Sequence, residues 1–146
     1  MTERLKEIAG RFAIEGKVGM VRPLGQGFIN DTYLVVLEGE SEPRYILQRK
    51  NHHVFPDVPA MMDNIDRVTR HIKARVSDPL RETLTVIPVS DGKLCLQDDE
   101  GNWWAMCLFI KGSSSFDQAS TPELARQGGL GLGSFHRLVS DFDEPL

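Results

Sequence analysis

Apolar residues recur along this chain in two rhythms. Leu5, Ile8, Ala9 and Phe12 fall at i, i+3, i+4 and i+7, so residues 3–12 predict a short helix with one apolar stripe. Gly16 helps to end that segment. Runs rich in β-branched and aromatic residues follow. Residues 18–24 predict a strand whose late Pro23 suits an edge or strand end. Residues 32–38 (TYLVVLE) and 44–49 (RYILQR) predict two more, with a turn over 39–43. Residues 51–59 hold two prolines and predict an irregular connection. Helical spacing returns over 58–76, where Met61, Ile65, Val68 and Ile72 lie on one narrow face.

Three further strands are predicted over 84–89, 93–97 and 103–109. Ser90-Asp91-Gly92 is a hairpin turn between the first two, and residues 98–102 form a longer turn before the third. Residues 110–118 read as a loop. A last helix starts near Thr121-Pro122-Glu123, a hydroxyl cap, a proline in the first turn and an acid beside the positive helix end. Leu124, Gly128, Leu132, Phe135, Leu138 and Phe142 give it one apolar side. Gly128, Gly129, Gly131 and Gly133 either allow close packing there or break the helix. Tight turns within each strand group make the sheet mainly antiparallel. The fold class is α+β: five or six strands, one inserted helix, and flanking N- and C-terminal helices.

Composition narrows the function. The chain has 146 residues and a formal charge of −4, one domain's length and not the basic balance of a nucleic-acid binder. No apolar run approaches the roughly 20 residues of a membrane helix. The start, MTERLKEIAG, has charges where a signal peptide would be apolar, so a cytoplasmic location is expected. Cys95 and Cys107 sit in apolar contexts and read as buried thiols, too few for a disulfide framework.

Gly25-x-Gly27-x-x-Asn30 is the main chemical clue. Glycines let backbone approach a ligand, and consecutive amides in a turn can cradle phosphate oxygens. A dinucleotide fold needs a helix directly after such a loop, and here a strand follows. The Gly-Lys-Ser/Thr of a Walker loop is absent. Strand, glycine-rich turn, strand is the roof of a kinase-type nucleotide site, with Asn30 able to take a left-handed backbone. An ordinary hairpin turn fits the glycines as well. Kinase-like sites also place a cation on the third strand, where Arg49 stands. Leu47, two residues earlier, shares its face and could touch the base.

With these residues in place, GQGFINDTYLV, YILQRKNHHVFPDVPAMMDNI and WWAMCLFIKGSSSFD resemble the aminoglycoside-phosphotransferase-like small-molecule kinases, most nearly the N-acetylhexosamine 1-kinase branch. The resemblance implies transfer of the γ-phosphoryl of ATP, with Mg2+, to a sugar or amino-sugar hydroxyl. It implies that residues 1–110 form the kinase-like N-terminal lobe. Residues 111–146 are then a linker and first helix toward a catalytic lobe that lies beyond this chain and carries the metal ligands. It makes Gly25, Gln26, Gly27, Phe28, Ile29, Asn30, Asp31 and Thr32 the phosphate-covering loop and Arg49 the phosphate cation. It makes Cys107, Leu108, Phe109 and Ile110 the hinge beside adenine.

Kinases pair the strand-three cation with an acid on the following helix. Asp63 has the spacing but should face solvent, so Asn64 is the expected partner of Arg49. His52 and His53 are adjacent and should point apart, and they read with His71 and His136 as surface or packing residues. Trp103 and Trp104 should put one ring in the core and one at an edge. The leading reading is the ATP-binding lobe of a sugar kinase, inactive by itself. The alternative is a non-catalytic module that binds a nucleotide or a protein. The last helix's apolar side (Leu132, Phe135, Leu138) predicts a patch suited to homodimerisation.

Overall fold

The computed structural model describes residues 2–25 and 27–146. Three helices and one six-stranded antiparallel sheet form an α+β fold with the layout of a kinase N-terminal lobe. The elements are α1 (Thr2–Gly10), β1 (Val18–Pro23), β2 (Asp31–Leu37), β3 (Tyr45–Lys50), α2 (Val58–Lys73), β4 (Val86–Ile87), β5 (Leu96–Gln97), β6 (Trp103–Leu108) and α3 (Pro122–Val139). The strand order is β1-β2-β3-β6-β4, and β5 also pairs with β6. Pro23, which has no N–H to donate, lies at the end of the edge strand β1.

The two faces of the sheet are covered differently. The α1 stripe, Leu5, Ile8 and Ala9 with Phe12 behind it, packs on Val21, Val35, Tyr45, Leu47, Trp104 and Met106. These side chains come from β1, β2, β3 and β6, so one face of four strands meets one helix. The opposite face meets α2, whose Val58 and Met62 pack on Cys95 and Ala105. The fully buried positions of α2 are Val58, Met62, Thr69 and Ile72, while Met61, Ile65 and Val68 of the expected stripe are half-buried. The helix is therefore turned by about one position from the spacing-based expectation. Asp57 caps it by accepting from the Ala60 N–H at 3.0 Å.

The strands after α2 are shorter than expected. Pro88 cannot continue a ladder, and its carbonyl and Val89 bind the chain leaving α1, at Ala13 and Phe12. The turn over 98–102 is locked by Asp98. Its carboxylate accepts from the Trp104 indole at 2.8 Å and from the Asn102 backbone at 2.9 Å, and Arg4 of α1 lies 3.3 Å away. Trp104 is buried in the α1-side core, and Trp103 is half-buried against α2.

α3 runs unbroken through its four glycines, which are exposed, and a side chain at any of them would meet nothing nearby. Its Thr121 cap accepts from the Leu124 N–H at 3.1 Å. Leu132 and Phe135 are exposed and Leu138 is half-buried. The following segment returns to α2, where Asp141 binds His71 at 3.0 Å and Arg75 at 2.8 Å. No helix among the described residues is long and apolar enough to cross a membrane.

The Asp98 hub generates a stability prediction. Burial opposes its charge, but the bonds from Trp104 and Asn102 outweigh burial and hold the carboxyl below its ordinary range. A depressed carboxyl stabilises the fold above the unfolded-state value, and that contribution falls away as pH drops through the folded-state value. Asp98→Ala also leaves a buried indole N–H without its acceptor, a loss of about 1–3 kcal/mol in urea unfolding near neutral pH. The gap between the two proteins should narrow in acid, and an equal gap at every pH would contradict the hub.

Candidate functional site

The β1–β2 turn, the end of β3 and the turn after it enclose an open cavity of about 350 Å³. Gly27, Phe28, Ile29, Asp31, Arg49, Lys50, Asn51, His52, His53 and Asn102 line it. Two glycines shape the turn for distinct reasons. Gly25 has φ +62°, a left-handed conformation that disfavours a side chain. At Gly27 a Cβ would overlap the Asn30 carbonyl oxygen, so only glycine permits that fold-back. Gln26, assigned to the same loop, lies outside the described residues.

The loop is tied to the chain after β3. The Asn30 side-chain oxygen accepts from the Asn51 N–H at 2.9 Å. No described non-glycine residue has positive φ, so Asn30 acts through this bond and not through a left-handed backbone. Phe28 and Ile29 are exposed at the tip. Thr32 faces Gln48 across the ladder and accepts from its amide at 3.2 Å.

Strand β3 separates its residues by alternation. Arg49 and Leu47 share the α1-side face, as expected, but Leu47 is fully buried beneath α1. It has no surface to offer a base, which corrects that assignment; the helix that covers it is the physical reason. Arg49 lies on the same cavity as Gly27, Phe28 and Ile29. Its guanidinium pairs with Asp31, directly opposite on β2, with Nε donating at 2.7 Å. Asn64 is not its partner: the Asn64 amide oxygen accepts from Arg67 at 2.8 Å, and Asp63 also binds Arg67, at 3.0 Å. Those α2 groups are spent within their own helix.

The opposite face of β3 carries Ile46, Gln48 and Lys50, the side toward α2. Ile46 and Gln48 stay half-open there, next to Thr32 and half-buried Cys107. Lys50 is buried, donates to the Gln48 side chain at 2.7 Å and also reaches the cavity. Burial holds its ammonium below the ordinary lysine range, partly offset by nearby Cys107, while burial pushes the Cys107 thiol up. Reasoning from sequence overlooked Lys50. The available signal was the α1 stripe, which must cover one face of β3 and so leaves the even-numbered residues to the other.

At the hinge segment, the N–H groups of Leu108 and Phe109 already donate to Thr85 and Arg44 carbonyls at 2.9 Å each. Cys107 pairs with Ile46 and Val86 in the ladders, and Ile110 accepts from the Ser113 hydroxyl at 2.7 Å. Carbonyl oxygens accept twice, so these remain able to meet a base edge.

His52 and His53 depart from the expectation that they point apart. The chain turns tightly here, with the Val54 and Phe55 N–H groups bound to the Asn51 carbonyl, and the two rings lie 4.4 Å apart. The cavity thus gathers a glycine cradle, two cations and two imidazoles. That donor set fits phosphate oxygens. It suits Mg2+ less, because Asp31 is the one carboxylate on the described lining and is engaged by Arg49.

Residues 20–145 match the family model described as phosphotransferase enzyme family.

The glycine cradle makes a sharp prediction. Gly27→Ala should force the loop off Asn30 and weaken phosphate-ligand binding by roughly tenfold or more, while urea stability changes by less than about 1 kcal/mol because the site is exposed. A variant that binds phosphate ligands as wild type does would remove the cradle from the site.

Proposed function

Because the chain belongs to the phosphotransferase enzyme family, we propose that it holds ATP for phosphoryl transfer to a small molecule. The observation that carries this reading is that Gly27, Phe28 and Ile29 of the β1–β2 turn line a cavity that Arg49 and Lys50 both reach. The nucleotide lies on the α2-side face, because α1 closes the other. Its base rests near Thr32, Gln48 and the 107–110 segment, and its phosphates run toward the cavity. Lys50 then contacts the phosphates from the floor. Arg49 braces the loop through Asp31 and also lines the cavity.

ATP supplies the phosphoryl group, and Mg2+ arrives with it and neutralises charge. The work of this chain is to cover, orient and exclude water. Residues 1–110 do this, and 111–146 lead away as linker and helix. The acceptor is a sugar or amino-sugar hydroxyl, as in the N-acetylhexosamine 1-kinases that these stretches resemble, and the setting is the cytoplasm. The isolated chain should bind without turnover. Several of its carboxylates are already engaged, Asp31 with Arg49 and Asp141 with His71 and Arg75. Sugar 1-phosphate formed at enzyme-like rates would overturn that. Association of two copies through exposed Leu132 and Phe135 is a further part of the proposal, and strictly monomeric sedimentation would exclude it.

A non-catalytic nucleotide module shares the same site and differs only in serving no phosphoryl transfer. The direct test of the site is titration with Mg-ATP followed by amide NMR. Binding should be weak, roughly in the high-micromolar to millimolar range, or about −4 to −6 kcal/mol. Gly25, Gly27, Thr32 and Lys50 should respond. Lys50→Met should weaken binding roughly tenfold, the worth of one charge-assisted contact, and leave the fold intact. Arg49→Met should cost less. The reverse ranking would make Arg49 the phosphate cation, and a response confined to another surface would reject the site.

A further inference from the structure

We propose that Gln48 is the positioning residue for Lys50, an amide fixed by Thr32 in the place where a helix acid would hold the strand-three cation; this role rests on the nucleotide reading above. Thr32, Gln48 and Ala105 lie in register across β2, β3 and β6. Ala105 has no polar side-chain group to offer. The Gln48 amide is left with Thr32 on the neighbouring strand and with Lys50, two residues along the same face. Lys50 donates to the Gln48 side-chain oxygen at 2.7 Å, and the Gln48 side-chain nitrogen donates to the Thr32 hydroxyl at 3.2 Å. An ammonium has donors only, so its partner is the amide oxygen. The amide nitrogen must then donate, and the Thr32 hydroxyl is the acceptor that it meets. The relay has one sense, from Lys50 through Gln48 to Thr32, and the sheet ladder anchors it.

Helix α2 contributes packing here and no partner for the cation. Val58 and Met62 lie on Cys95 and Ala105, while Asp63 and Asn64 both bind Arg67. The difference between the two kinds of partner is chemical. A carboxylate would offset the ammonium charge, whereas an amide oxygen orients the ammonium and leaves that charge whole for phosphate oxygens. Burial works against the charge of Lys50, and an oxygen acceptor at 2.7 Å favours it. The four-carbon stem of a lysine is flexible, and holding it in place beforehand lowers the entropic cost of meeting a ligand. The aim of the cation is thus set inside the sheet. A shift of α2 does not reach it through an ion pair, as it would in a kinase that pairs strand and helix.

The test is a double-mutant cycle on the whole chain, with Mg-ATP affinity read from backbone amide shifts. Gln48→Met and Thr32→Val nearly keep side-chain volume at half-buried positions. Each should weaken Mg-ATP roughly three- to fivefold, the worth of one hydrogen bond. Thr32→Ser keeps the hydroxyl and should bind as wild type does. In a Lys50→Met background, Gln48→Met should weaken binding no further, because its effect passes through the ammonium. Asp63→Asn, at an exposed position on α2, should leave affinity unchanged. A Gln48→Met loss that persists in the Lys50→Met background would make Gln48 a direct ligand contact and overturn the positioning role. Wild-type affinity in Gln48→Met, Thr32→Ser as weak as Thr32→Val, or an equal loss from Asp63→Asn would overturn it too. Each of these results leaves the nucleotide reading intact, since the wild-type chain still binds. If Mg-ATP moves neither Gly27 nor Lys50 in the wild-type chain, the nucleotide reading fails and the role of Gln48 fails with it.

Discussion

Burial of one sheet face by α1 is the constraint from which the rest of this structure follows. Leu5, Ile8, Ala9 and Phe12 require an apolar surface, and Val35, Tyr45, Leu47 and Met106 supply it. At about 25 cal/mol per Å², closing that face is among the larger favourable contributions in so small a chain. Its consequence is geometric. Period-two alternation sends every second residue of β3 into that core, so Leu47 is spent on packing. Ile46, Gln48 and Lys50 are left for the other face, where α2 covers the β6 side and Thr32, Ile46 and Gln48 stay half-buried.

A second level of organisation is polar. The glycine turn would be a loose hairpin tip if nothing held it. Asn30 fastens it to Asn51, the Arg49–Asp31 pair braces its base, and Gln48 meets Thr32 on the opposite face. These contacts are exposed or partly exposed, so each adds little to global stability. Their effect is on position. Three contacts between β2 and the end of β3 keep the turn over two cations, and they carry a neighbouring turn with two imidazoles into the same cavity. Phosphate binding needs such convergence more than it needs any single strong bond.

Much of this was legible in the sequence. The α1 stripe, the runs of β1, β2, β3 and β6, Pro23 at an edge and the Thr121 cap are local signals that tertiary packing did not override. The glycine turn between two strands was readable for the same reason. The assignments that changed depended on which face a neighbour covers. Spacing put Leu47 and Arg49 together correctly but said nothing of α1 above them. Asn64 was aimed by a helical wheel that the real packing turns by about one residue, and Arg67, three residues on, claimed it instead. His52 and His53, adjacent in sequence, should point apart on a strand or loop, but the Asn51-centred turn brings their rings together. β4 shrank because Pro88 interrupts the ladder and the exit of α1 binds Pro88 and Val89.

The central claim is that ligand lies on the α2-side face of the sheet, under the glycine turn, and not on the α1 side. Paramagnetic broadening by Mn-ATP tests this most directly, since Mn2+ takes the place of Mg2+ and its effect falls steeply with distance. The account predicts strong broadening at Gly27, Thr32, Gln48 and Lys50, with Leu5, Ile8 and Glu38 unaffected. Broadening centred on α1 and Glu38, with the glycine turn silent, would contradict it.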